Sequence, residues 1–358
     1  KKLVRLSTEA GAKLLHKLGV RKESGSNMEF ETLVEDVKGH ALTLNLLGTF
    51  LRDAHGGDIR KRDLVKLEEA NAEEQGGHAF HVMDAYVRWL EGSCPLTPAL
   101  SPDGGEGAQS AGQGKRGWWA RLTGVPSLSP TGGEDRGEGA AAKRDLAMLR
   151  LLGLFDRPAT ADCLEALWKG DAISGLTEPL VGLAEAQRNL ALTRLETAKL
   201  LTVNRDASAR LVSLDSHPLI RECFAQRLRQ QQPEAWRAAH RRLYEHLCAT
   251  TKEGDQPTLE DLQPLYQAVA HGCQAGLQQE ACEKVYRDRI QRGQEAYSTK
   301  KLGAFGSDLG AVACFFETPW SRVSPALTEA AQAWLLNQAA FRLRALGRRN
   351  EAIDPMRA

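Results

Sequence analysis

The chain contains the sequence LLTVNRDASARLVSLDSHPLIR at residues 200–221, the stretch that says most about its fold. Two short runs rich in aliphatic residues, at 200–203 and 210–214, flank a polar segment at 204–209. Alternating apolar runs separated by such a turn are typical of paired strands. The stretch therefore predicts a β-hairpin.

The residues that follow the hairpin predict the start of a helix. Asp215 or Ser216 can cap it, and Pro218 suits its first turn. His217 is therefore expected at a helix N-terminus, where backbone N–H groups and the helix dipole favour an anion. These surroundings also disfavour the imidazolium, so a neutral ring could donate one hydrogen bond to a phosphate oxygen.

This placement of a histidine resembles the winged-helix domain of NB-ARC-type STAND signalling ATPases, whose Met-His-Asp motif reads the nucleotide state. His217 stands at the position of the family's His, Ser216 at that of Met and Pro218 at that of Asp. The resemblance implies that His217 contacts the β-phosphate of ADP. The alternative is that His217 is simply a residue at the start of a helix.

The first 92 residues predict a compact bundle of short helices. Ser7 and Asn27 can each cap a helix, and the glycines at 56–57 end a strongly apolar one. A last helix, about 78–90, places large apolar side chains on one face.

The apolar helix of this bundle begins with the sequence GHALTL at residues 39–44. This start is similar to the Gly-x-Pro helix start of NB-ARC proteins, with Ala41 in the place of Pro. The resemblance implies that Gly39, Ala41 and Leu42 lie on the adenine side of a bound ADP or ATP. The order of these features along the chain, Leu6-Ser7, then Gly39, then a winged-helix pattern with His217, also matches the family.

Residues 93–142 predict a disordered insertion. The sequence PLTPALSPDGGE at 95–106 is echoed by PSLSPTGGE at 126–134. A segment so rich in Gly, Pro and Ser cannot bury enough apolar surface to offset its chain entropy.

Residues 143–230 predict a winged-helix domain. Helices at about 144–152, 160–167 and 186–199 precede the hairpin. Such domains often place the third helix in the major groove of DNA. The cations of that helix and of the wing are few for phosphate neutralisation, so nucleic acid is an unlikely partner. They are Arg188, Arg194 and Lys199 on the helix and Arg205 and Arg210 on the wing.

Residues 231–358 predict helices again. Near the end, small and large apolar residues fall at the spacings of a tetratricopeptide repeat, in which stacked helix pairs form a concave binding surface. A protein or peptide ligand is the partner that such a surface implies. The residues are Leu336, Ala340, Leu343, Gly347, Ala352 and Met356.

Composition places the chain among soluble globular proteins, with 42% hydrophobic and 26% charged residues in a length of 358. The net charge of +1 shows no basic bias. No apolar run approaches the length of a membrane span. Seven cysteines without a C-x-x-C pair predict a reducing, cytoplasmic location.

No set of residues predicts catalysis by this chain. His78, His81 and Asp84 share one helical face, but surface polarity explains them more simply than a metal does. The sequence has no G-x-x-x-x-G-K-[ST] loop, so the chain is not expected to hydrolyse ATP. It is expected to be a fragment of an ATPase whose nucleotide-binding domain, with its Mg, precedes Lys1.

The expected fold is therefore mainly α, with a helical bundle, a winged-helix domain with a small hairpin, and the start of a TPR-like solenoid. The expected function is the regulatory and sensor portion of a nucleotide-switched STAND ATPase, which forms a homo-oligomer when activated. Two alternatives remain: a winged-helix transcription regulator that binds DNA, and a TPR-type scaffold for protein interactions.

Overall fold

A computed structural model describes residues 5–65, 77–92 and 134–357 of the chain. The protein is mainly helical and contains a small antiparallel sheet, which confirms the predicted fold class at this level. Among the described residues, no helix is both long enough and apolar enough to cross a membrane.

The chain forms two compact units. Unit 1 contains residues 1–159 and 182–226, and unit 2 contains residues 160–181 and 227–358. Residues 160–181, which lie within the predicted winged-helix segment, thus pack with the C-terminal helices.

Unit 1 begins with a bundle of helices in which α3 packs against both α1 and α4. Leucines and aromatic side chains at helical spacing fill its core, and Leu15, Phe30 and Leu47 are almost fully buried. The described helices of the bundle are α1 (Thr8–Lys17), α2 (Asn27–Asp36), α3 (Ala41–His55) and α4 (Gly77–Gly92).

The ends of these helices follow local sequence rules. Ser7 caps α1, and Gly56 ends α3 in the left-handed conformation with φ of 60°, as predicted. The cap of α2 is Ser26 rather than Asn27. Ser26 occupies the N-cap position because its side chain and that of Glu29 form a capping box.

Helix α5 (Glu134–Leu152) corrects the predicted extent of the disordered insertion. Residues 134–142 were assigned to that insertion but are helical. The alanines at 140–142 are strong helix formers, and Ala142 is buried. The apolar residues that follow thus extend their helix backwards through them. The remainder of the predicted insertion, residues 93–133, lies outside the described residues.

Three strands form the small sheet, in the order β1-β3-β2. Strands β2 and β3 pair antiparallel, with Val203 opposite Leu214, and this confirms the predicted hairpin. Asp206 stabilises the turn by accepting hydrogen bonds from the amides of Ser208 and Arg210. The elements of this region are β1 (Ala159–Thr160), α6 (Ala161–Trp168), α7 (Glu185–Thr197), β2 (Thr202–Arg205), β3 (Leu211–Asp215) and α8 (Pro218–Gln231).

Unit 2 continues with helices that pack against their neighbours along the chain. A π-helical segment, Ala281–Ile290, lies against α10. The helices are α9 (Pro233–Thr250), α10 (Leu259–Gln274), α11 (Gln278–Glu280), α12 (Tyr297–Lys300), α13 (Phe305–Ala313), α14 (Glu329–Ala345) and α15 (Ile353–Arg357).

A short hairpin interrupts the C-terminal block, which was predicted to be helical. Strands β4 (Phe316–Thr318) and β5 (Arg322–Val323) pair antiparallel between α13 and α14. Pro319 disfavours helix continuation, and Trp320 adopts a left-handed φ of 65° in the turn.

The residues predicted at TPR packing positions are only partly buried. Leu343, Ala340 and Ala352 lie in the core, and Leu343 and Ala352 belong to one apolar cluster. Gly347 adopts a left-handed φ of 78° after α14. Leu336 is half-buried and Met356 is exposed.

A buried polar network ties the helices of unit 2 together around Asp308. The Asp308 carboxylate accepts hydrogen bonds from Tyr266 (2.7 Å), Ser298 (2.9 Å) and Gln291 (3.0 Å). It also pairs with Arg342 at 3.1 Å, and the side chains of this ion pair are 0% and 1% exposed. The Nη1 of Arg342 donates to Gln338, whereas its buried Nε has no hydrogen-bond partner among the described residues, so the guanidinium is only partly satisfied apart from this ion pair.

Candidate functional site

The N-terminus of α8 carries the first candidate residue, His217. Its carbonyl accepts the amide of Ile220 at 2.9 Å, so His217 is the N-cap. The predicted caps, Asp215 and Ser216, are wrong because both side chains have other partners. Asp215 pairs with Arg221 at 2.6 Å. The buried Ser216 hydroxyl donates to the backbone carbonyl of Leu200, just before β2, at 2.7 Å.

The His217 ring caps the helix with one nitrogen and leaves the other available. Nδ1 accepts the amide of Leu219 at 3.2 Å. Because Nδ1 is an acceptor, the ring proton of the neutral form lies on Nε2. Partial burial of the ring lowers the pKa of His217, although the residue as a whole is exposed, and the neighbouring His40 and Arg221 lower it further. The exposed side chain therefore offers a single N–H donor at neutral pH.

Gly39 forms a tight turn before α3. Its φ is 64°, and a side chain at this position would overlap the carbonyl oxygen of Leu6. The Leu6 amide donates to the Gly39 carbonyl at 2.9 Å. The segment before α1 and the turn at Gly39 therefore lie in contact, as two features whose order along the chain matches the family. Only glycine combines the left-handed backbone with this close approach.

His40, which the sequence reasoning did not single out, is the N-cap of α3. Its Nδ1 lies 2.8 Å from the hydroxyl oxygen of the buried Thr43 and accepts the Thr43 amide at 3.4 Å. The ring proton therefore lies on Nε2, as in His217. Burial lowers the pKa of His40. In the sequence, the only indication that His40 would cap α3 was its position as a polar residue directly before an apolar helix.

The other predicted residues of this helix start, Ala41 and Leu42, are both half-buried. They lie in the first turn of α3, directly after His40. Their aliphatic side chains could contribute an apolar surface beside the polar cap, but they offer no hydrogen-bonding group of their own.

His40 and His217 are far apart in sequence, but in unit 1 their rings lie within range of electrostatic interaction. The charge of His40 contributes to lowering the pKa of His217. Burial lowers the pKa of His78 at the start of α4, and the charges of Lys38 and His40 lower it further while Asp36 raises it, so His78 belongs to the same surroundings. This surface combines two helix N-termini, two Nε2–H donors and nearby basic groups, a combination that favours an anion.

A second group of polar side chains, in unit 2, has the composition of a metal site. Asp162 and Cys163 of α6 and His246 of α9 hold ligand atoms within 4.8 Å of one another. It is the sole group of this kind among the described residues, so His78, His81 and Asp84 do not form one. Nothing in the sequence indicated that His246 would meet residues of α6.

The cations considered for DNA binding are largely engaged within the protein. Arg194 pairs with the buried Asp145, with Nε 2.9 Å from Oδ2. Arg188 donates to a backbone carbonyl at 2.8 Å, and Arg210 pairs with Asp206 at 3.0 Å. Arg194 and Arg210 are thus neutralised by carboxylates within the protein, whereas Arg188 keeps its charge and Lys199 is exposed.

No protein-family model matches the sequence, and no curated protein matches it.

Proposed function

We propose that the chain is the regulatory portion of a nucleotide-switched STAND ATPase and couples the ADP or ATP state to ligand sensing. In this proposal His217 donates to the β-phosphate of ADP, while Gly39, Ala41 and Leu42 line the adenine side. The phosphate loop and the Mg site belong to a nucleotide-binding domain outside this sequence.

The observation that carries the proposal is the proximity of the His40 and His217 helix starts. Two motifs that the family resemblance selects, Gly39 to Leu42 and His217, are linked in unit 1 by the electrostatic interaction of His40 with His217. A merely local role for His217 as a cap does not require this proximity. A shared ligand with an anionic part does.

The chemistry of the two imidazoles supports a phosphate as that anionic part. In each ring Nδ1 accepts a hydrogen bond from a backbone amide, so the N–H of the neutral ring is at Nε2 and can donate to another partner. A neutral donor beside a helix N-terminus binds a phosphate oxygen without the cost of burying a full charge. His40 would then act beside His217, a role that the family resemblance did not supply.

The order of elements supports a winged-helix interpretation of residues 143–230. Helix α5, strand β1, helices α6 and α7 and the β2–β3 hairpin follow one another along the chain, and the strand order is β1-β3-β2, although α6 itself belongs to unit 2. A regulatory rather than a DNA-reading winged helix is favoured because Arg194 is committed to Asp145.

Consecutive helices of unit 2 support the sensor part of the proposal. Helices α9 and α10 pack together, as do α13 and α14, and α14 with α15. Helix pairs of this kind can present a surface to a protein or peptide ligand. Ligand binding would bias a two-state switch toward the ATP-bound, homo-oligomeric form.

A titration of the chain with inorganic pyrophosphate tests the role of His217. The ring C–H signals of His40 and His217, followed by NMR, should shift together on one binding curve. His217→Asp is the decisive variant because aspartate is a good N-cap but places a negative charge at the anion site. It should keep the thermal stability and weaken pyrophosphate binding at least about tenfold, or about 1.4 kcal/mol.

His217→Asn is the matched control, since asparagine also caps a helix but carries no charge. It should bind pyrophosphate more tightly than His217→Asp and more weakly than the wild type. Equal affinity in all three proteins would mean that His217 is only a cap, and the proposal would fail.

The two alternatives predict other results. A DNA-binding regulator should bind duplex DNA with a steep salt dependence. Arg194→Ala would then weaken binding, but the structure gives it a cost in stability as well, because it leaves Asp145 without its partner. A pure scaffold would bind peptides through unit 2 with no response to nucleotide or pyrophosphate.

A further inference from the structure

We propose that Asp162, Cys163 and His246 bind one divalent transition-metal ion of the Zn²⁺ class, which joins α6 to α9 within unit 2. The proposal goes beyond the nucleotide switch, because no residue of the group belongs to the His40 and His217 surface. It rests on the geometry of the three ligand atoms, on their chemical type and on how the two helices are held.

The ligand atoms already lie near the spacing that a metal requires. His246 Nε2 lies 3.2 Å from Asp162 Oδ2, and the Cys163 Sγ lies 3.9 Å from the same oxygen. Around a tetrahedral zinc ion, Zn–N and Zn–O bonds of about 2.0 Å and a Zn–S bond of about 2.3 Å place such atoms about 3.3–3.5 Å apart. The Cys163 Sγ, which lies within 4.8 Å of His246 Nε2, would have to move toward the other two ligand atoms to complete the site.

The types of ligand select the class of metal. One thiolate, one imidazole and one carboxylate form a mixed soft and hard set, which suits Zn²⁺ or Co²⁺. Ca²⁺ and Mg²⁺ prefer oxygen ligands and would gain little from Cys163. Three protein ligands leave the fourth position to water, and the exposed Asp162 gives the ion a route from solvent.

The surrounding contacts hold the two helices in this arrangement. Asp162 and Cys163 lie in the first turn of α6. Arg242, one turn before His246 on α9, donates to the Leu167 carbonyl near the other end of α6 at 3.2 Å.

A free cysteine nucleophile is a poorer interpretation of the same group. Cys163 is 1% exposed, and burial raises the pKa of its thiol to about 11. A protonated, buried thiol reacts slowly because the thiolate is the nucleophile.

Titration of the full chain with Co²⁺ tests the proposal. The expected spectrum has a thiolate-to-cobalt charge-transfer band in the near ultraviolet and visible d–d bands of a four-coordinate ion, saturating at one ion per chain. Zn²⁺ should abolish both by competition. Cys163→Ser should remove the charge-transfer band, and His246→Asn should weaken binding by more than about 100-fold, since second-shell changes alone cost about 10–100-fold.

Two further variants separate the site from other thiols and from misfolding. Cys314→Ser removes an exposed cysteine elsewhere in unit 2 and should leave the spectrum unchanged. Asp162→Asn changes the third ligand and should weaken Co²⁺ binding while keeping the charge-transfer band of the Cys163 thiolate. The proposal is overturned if the wild type shows no such band, or if the band survives in Cys163→Ser while circular dichroism shows native helix content.

Discussion

The buried ion pair of unit 2 gives the sharpest prediction about stability. Asp308→Ala removes the carboxylate that accepts four hydrogen bonds and leaves the guanidinium of Arg342, which is 1% exposed, without its charged partner. Breaking a buried pair in this way typically costs about 3–5 kcal/mol. That is a large part of the stability of an ordinary domain, about 5–15 kcal/mol.

Native-state hydrogen exchange is the appropriate assay because two compact units need not unfold together. The slowest amides of α10 and α14 should lose about 3–5 kcal/mol of protection in Asp308→Ala. The matched control is Glu351→Gln, which removes the exposed partner of Arg348; the two side chains are 44% and 45% exposed. An exposed pair contributes about 0–1 kcal/mol, so this variant should change little.

A double variant separates the loss of the pair from the loss of packing. Asp308→Leu combined with Arg342→Met replaces both charges with apolar groups and should recover part of the lost stability. Recovery should be incomplete, because Tyr266, Ser298 and Gln291 still lose an acceptor. The reasoning is refuted if Asp308→Ala costs less than about 1 kcal/mol, the range of an exposed pair.

Two other predictions concern a turn and a pair of histidines. Gly39→Ala should destabilise unit 1 by more than Gly303→Ala destabilises unit 2, as measured by hydrogen exchange. Both glycines have a left-handed φ, but of the two only Gly39 lies against a backbone oxygen. Equal losses of stability in the two variants would contradict this prediction. Burial and the neighbouring His271 hold the pKa of His240 well below its ordinary value. The unfolded state therefore binds more protons below about pH 6.5, so stability should fall as the pH drops through that value. His240→Phe should flatten this pH dependence when urea unfolding is followed from pH 5 to 7.5. An unchanged slope of stability against pH would contradict the prediction.

Local rules accounted for the elements whose signals lie close together in sequence. Ser7, Gly56 and the polar turn around Asp206 ended or joined elements where predicted, since caps and turns act over a few residues. The start of α5 was misplaced because a Gly- and Pro-rich composition outweighed a short run of alanines. The β4–β5 hairpin was missed because two short strands give almost no periodic signal.

The candidate sites show a similar division. Gly39 and His217 could each be found from the residues around them, but their proximity depends on how distant parts of unit 1 pack. His40 was missed although it lies between two residues that were chosen. The meeting of His246 with Asp162 and Cys163 joins two helices far apart along the chain, and no local pattern carries that information.

The reading frame upstream of Lys1 tests the central claim most directly. The account predicts a G-x-x-x-x-G-K-[ST] loop followed by an acidic-ended strand, within about one domain length of 150–200 residues. An ATPase switch would then have its phosphate-binding part, and His217 would have a β-phosphate to contact. A frame that opens close to Lys1, or that lacks this loop, would contradict the nucleotide-switch account.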